Sequence, residues 1–135
     1  MNDTAEQLLE AYRREEPIYR RVLELVEQQA QMMEQKPDPS RVLALCRRVE
    51  GLMDQIETIE EALQPAKTEW ERSGTPHQAL DELLAAIEGH IERTAEMQER
   101  VQQALLRYVE QQKRSTEQTR AQIKARRADR LYRAG

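Results

Sequence analysis

Two histidines, His77 and His90, one cysteine, Cys46, and many glutamates are the side chains with which this chain could do chemistry. In helical bundles that bind a di-iron centre, a glutamate precedes each ligating histidine by three residues. Gly74 and Ile87 hold those places here. On one helix the two rings would also stand ~20 Å apart, so no metal site is expected, and both histidines are predicted to face solvent. Cys46 is alone, which excludes an intrachain disulfide, and beside apolar neighbours it reads as a half-buried small hydrophobe. The glutamates are interleaved with Lys and Arg, the pattern of a solvated, self-pairing helix surface rather than of paired acid/base carboxylates. Neither a Gly-rich phosphate loop nor a Ser/His/Asp set occurs. No catalytic residue, cofactor or metal is expected, and the chain reads as a binding protein, not an enzyme.

Recognition chemistry is concentrated at the end of the chain. From Gln111 to Gly135 there are eight basic residues (Lys113, Arg114, Arg120, Lys124, Arg126, Arg127, Arg130, Arg133) against Glu117 and Asp129. This tail therefore carries +6, and the overall −4 leaves −10 on residues 1–110. Ile123, Leu131 and Tyr132 are apolar residues kept in a segment otherwise too polar to dock. A helix-prone segment with sparse apolar anchors suits folding onto a partner helix, and its charge speeds approach to an acidic partner. The candidate partner-binding residues are Ile123, Arg126, Arg127, Arg130, Leu131 and Tyr132. The alternative is a disordered, solubilising end. Nucleic acid is not expected, because the body is acidic and no aromatic platform accompanies the arginines.

The elements that position this tail are legible from periodicity. Val42, Val49, Ile56, Leu63 and Trp70 recur every seven residues, and Leu45, Leu52, Ile59 and Ala66 follow the first four by three. Such a seam keeps one helical face toward a partner. Leu43, Cys46 and Met53 widen its first half, as suits a middle helix touching two neighbours. Tyr12, Tyr19, Val26 and Met33 set a second heptad over 3–35, joined by Leu8, Val22, Leu23 and Ala30. Pro17 and Pro65 interrupt these two helices; because the first heptad keeps its phase across Pro17, a kink is favoured there over two unrelated helices. A third seam is predicted through Leu80, Leu84, Ile87, Ile91, Thr94, Val101, Leu105 and Tyr108, with Thr94 and Gln98 as a polar patch that Ala95 and Met97 could fill.

Asp38-Pro39 reads as an N-cap with proline at the first helical position, Gly74 as a helix stop, and Thr75 with Gln78 as a capping box. With 34% charged residues, four glycines and no phenylalanine, the chain is helix-rich with thin aliphatic layers. The expectation is all-α: an antiparallel up-down-up bundle of three long, coiled-coil-like helices (3–35, 39–72, 76–110) in residues 1–110. A helical or disordered basic tail, 111–135, leaves from the end where the first two helices connect. Neither a membrane span nor a secretory signal is read, so the expected location is the cytoplasm.

Two stretches and the ending carry a family resemblance. Glu-Leu-Val-Glu-Gln-Gln-Ala-Gln-Met-Met (24–33), Arg-Val-Leu-Ala-Leu-Cys-Arg-Arg-Val-Glu-Gly-Leu-Met-Asp-Gln-Ile-Glu-Thr-Ile-Glu (41–60) and Leu-Tyr-Arg-Ala-Gly (131–135) resemble the FlgN-type flagellar export chaperones. The resemblance covers most of the chain. It implies a type III secretion chaperone that binds the C-terminal helical regions of hook-filament junction (hook-associated) proteins, keeps them unpolymerised and delivers them to the export gate. It also implies cargo contact around Ile123 and Leu131, with Tyr132 matching a gate-docking tyrosine. The basic tail and the two helix prolines depart from that family. A monomer or weak homodimer is expected; the alternative is a structural coiled-coil adaptor whose 42–70 seam pairs between chains.

Overall fold

The computed structural model describes residues 3–134. Three helices account for the fold: α1 (Asp3–Gln35), α2 (Pro39–Ser73) and α3 (Gln78–Ala134). Short turns reverse the chain twice, giving an up-down-up, all-α bundle. The turn chemistry is local. Asp38 caps α2, its Oδ1 accepting from Arg41 N–H at 3.2 Å, with Pro39 behind it. Gly74 ends α2 in the left-handed region at φ 61° and donates its N–H to Trp70 O, a conformation that costs side-chain-bearing residues ~1 kcal/mol or more. Pro17 and Pro65 end neither helix. Both are exposed, so the carbonyl each leaves unpaired lies on the water-facing side.

The start of α3 differs from expectation. His77, not Thr75, is the cap: its Nδ1 accepts from Leu80 N–H at 3.2 Å and its carbonyl from Asp81 N–H at 3.0 Å. The Trp70 ring meets the imidazole edge-on, centroids 6.4 Å apart, and steadies it. His77 is thus a structural cap and only half-exposed.

The middle helix is α1, not α2. It packs along both neighbours, whereas α2 and α3 scarcely approach each other. The reason is the width of its apolar face. Leu8, Ala11, Tyr12, Val22, Leu25, Val26, Ala30 and Met33 are all buried and span well over 100° of the helix. On α2 only the narrow seam (Val42, Leu45, Ile56, Leu63) is buried, against α1; Leu43 and Met53, read as part of a two-sided face, remain exposed. The third seam is also rotated. Leu80, Ile87, Met97, Val101 and Ala104 are buried, while Ile91 is exposed. Met97 fills the polar gap as anticipated, and following it turns Ile91 outward.

The apolar core has two clusters. One joins Leu8, Ala11 and Tyr12 to Leu63, Leu80 and Ile87; the other joins Val22, Val26, Ala30 and Met33 to Val42, Met97, Val101 and Ala104 near the α1–α2 turn. Gln29 pins α1 to α2 in the second cluster by donating Nε2–H to Val42 O at 3.0 Å and to Cys46 Sγ. Cys46 is half-buried, as its sequence neighbours suggested. Arg100 on α3 forks onto the Glu34 carboxylate at 2.7 Å, tying α3 to the end of α1.

Leu25 is fully buried and Leu131 is 76% exposed, so the same truncation should separate body from tail. Leu25→Ala is expected to cost about 2–5 kcal/mol through lost burial and the cavity left behind. Leu131→Ala should leave the urea midpoint unchanged, and equal midpoint shifts for the two variants would contradict this division.

Candidate functional site

Beyond Tyr108 no described residue covers α3. Every residue from Val109 to Ala134 is exposed, yet the helix runs on unbroken. Those 26 residues form a rod ~39 Å long. It leaves the bundle beside the α1–α2 turn, where Met33, Glu34 and Pro37 face Ala104, Arg107 and Tyr108 across a shallow recess. A chain of strong helix formers sustains it: Gln, Arg, Lys, Glu and Ala dominate residues 109–134. Length matters too, because α3 nucleates on the bundle and each further residue only propagates it.

All six candidate partner-binding residues lie on this rod. Ile123 is 48% exposed, and Leu131 and Tyr132 are more so. Arg126, Arg127 and Arg130 make no ion pair among the described residues; Asp129 engages Arg133 at 3.4 Å. They do not share one face. At ~100° per residue, Ile123, Arg127 and Leu131 cluster on one side and Tyr132 turns away from it. The arrangement offers a basic rod on which two apolar anchors, Ile123 and Leu131, flank Arg127.

A second surface escaped the sequence reading. Because α2 and α3 diverge over α1, a groove of about 290 Å³ opens between them, floored by Tyr19 and Val22 and lipped by Val49 and Met53 on one side and Ile91 and Ala95 on the other. The signal was present in Met53 and Ile91, but each was assigned to a buried face.

Between the two apolar clusters lies a polar layer that periodicity also missed. Glu15 is 1% exposed, and its Oε1 has no partner among the described residues. Burial, then a hydrogen bond to and the charge of Glu60, push its carboxyl up to about 8, against the opposing charges of Lys67 and Arg14. Lys67 pairs with Glu60 and stands 5.8 Å over the Tyr12 ring. Burial alone would lower the Lys67 ammonium, but its bonds to Glu60 and Tyr12 raise it. On the α3 side, His90 Nε2 lies 3.0 Å from Glu16 Oε1, so His90 is a half-buried interhelical partner rather than a solvent-facing ring. Hydrogen bonds from Arg20 and His90 hold the Glu16 carboxyl below its usual range. The layer joins α1 to both neighbours.

No protein-family model, no curated protein and no solved structure matches this chain. Among the described residues no helix is long and apolar enough to cross a membrane.

Glu15 makes stability depend on pH in a defined sense. Its carboxyl binds a proton more tightly folded (about 8) than at its ordinary 4.5. The contribution is therefore complete below pH 4.5 and is lost as pH rises through about 8. Wild-type melting temperature should fall across that window, and Glu15→Gln, which keeps the shape without the charge, should flatten the fall. Parallel pH profiles for the two proteins would refute the buried-carboxyl account.

Proposed function

We propose that this protein is a non-enzymatic helical chaperone of the type III export kind. In this reading it works in the cytoplasm and covers the C-terminal helical segments of hook-associated proteins before they polymerise. The observation that carries the reading is the exposed 26-residue continuation of α3. It is a preformed helix with apolar residues and basic charge that its own bundle does not use. A partner helix laid along Ile123 and Leu131 would bury apolar surface on both sides, while Arg126, Arg127 and Arg130 draw in acidic flanks. No cofactor or nucleotide enters the scheme. A preformed rod loses less conformational entropy on binding than a disordered tail would. The resemblance of residues 24–33, 41–60 and 131–135 to FlgN-type chaperones supports the choice of cargo and gives Tyr132 the role of contact with the export gate.

Ending the chain after Glu110 tests the assignment. The truncated body keeps every buried residue, so its thermal transition is expected to be nearly unchanged while co-purification of a hook-associated protein is lost. Retained capture would move the site onto the bundle. If the full chain captures no hook-associated protein, the chaperone reading fails.

A further inference from the structure

Five of the six exposed large apolar residues described on α3 share one side, Tyr132 being the exception. Ile91, Leu106, Val109, Ile123 and Leu131 are all exposed, and at ~100° per residue they fall, with Ala95, inside one arc about 100° wide. This edge starts in the groove between α2 and α3, passes the point where the bundle stops, and continues along the rod. On the rod the same arc also holds Lys113, Thr116, Arg120 and Arg127, so the face there sets apolar anchors among basic side chains.

Charge says what the partner is. The rod carries most of the +6 of residues 111–135, while residues 1–110 carry −10. Acidic residues flank the groove, with Glu50 and Glu57 exposed on α2 and Glu88 exposed on α3. One unbroken helix holds the rod away from its own groove: Ile123 stands fourteen residues beyond Val109, and Ala95 fourteen before it, ~42 Å from end to end. Attraction between exposed charges is screened beyond ~10 Å in ordinary salt. The rod cannot reach its own acidic groove, but it can reach that of another molecule.

We infer that this surface is an interface between two copies of the chain, pairing α3 antiparallel to α3 about a twofold axis near Val109. The equal spacing makes the contact self-complementary, as an isologous interface requires. Val109 meets Val109 at the axis, flanked by Leu106. Ile123 of each copy lies over Ala95 of the other, between the α2 and α3 lips of the groove. Ile91 sits between Ile123 and Leu131 of the second copy, beside Arg127, and Lys124 lies on the side of Glu88. Both grooves and both rods are used at once. A parallel pairing would bring the two basic rods together and leave the acidic grooves empty.

The interface stands independently of the chaperone reading. A dimer that captures no hook-associated protein would sink that reading alone, and capture by a strictly monomeric chain would sink this one.

The test uses the full chain, light scattering and site-specific crosslinking. Wild-type protein should have twice the 15.9 kDa chain mass at low salt and shift toward monomer as salt is added. Val109→Glu should be monomeric with unchanged helical circular dichroism. In a Cys46→Ser background, Val109→Cys should form a disulfide with itself. Ile123→Cys should crosslink only when mixed with Ala95→Cys. A monomer at every concentration, a Val109→Glu variant that stays dimeric, or Ile123→Cys joining to itself as readily as Val109→Cys would each overturn the antiparallel interface.

Discussion

Leu25 and Val26 are adjacent in α1, roughly 100° apart around the helix, and both are almost wholly buried. A helix buries such a pair only with cover on a wide arc, and α1 has it from α2 on one side and α3 on the other. The rest of the architecture follows from this. Both neighbours spend their seams on α1, so they have no reason to meet each other. They splay, the groove over Tyr19 and Val22 stays open, and α3 is free to run on past its last contact.

The polar layer tempers that apolar sandwich. An unpaired carboxylate beside Tyr12 and Tyr19 would be costly, and Glu15 answers by holding its proton beside Glu60. Glu16 with His90, and Glu15 with Glu60, complete a band that shifts of either neighbour by one turn would break. Buried polar groups of this kind stabilise little in net terms, but they disfavour sliding of one long helix along another. Long uniform seams need such a device, because one heptad looks much like the next.

The projecting helix is the clearest functional feature, and its physics differs from that of a flexible tail. Its charge and its apolar edge are held ~39 Å out along one line, at fixed angular positions. Recognition by such a rod is a matter of face and direction, not of an adaptable loop. That constraint underlies both the chaperone proposal and the antiparallel pairing of two chains, and the two compete for the same edge.

Much was decided by sequence alone. Asp38-Pro39 and Gly74 set their helix ends because capping is a matter of a few consecutive residues, and the heptads through Val26 and Val42 placed two seams without any knowledge of their partners. Fold class, helix number and the origin of the basic extension follow from such local and periodic rules. Other features were decided only in three dimensions. Glu15 is the same letter as the exposed Glu10, and its burial depends on Glu60 and Lys67 from another helix. Periodicity put Ile91 on the α3 seam with Met97 beside it as a gap filler, and contact with α1 buried Met97 and left Ile91 outside. Which helix lies in the middle depended on comparing whole faces at once. The continuation of α3 as a rod reflects propensity inherited from the sequence, but its standing clear of the bundle was decided by packing, because α1 ends at Gln35 and offers it nothing further to cover.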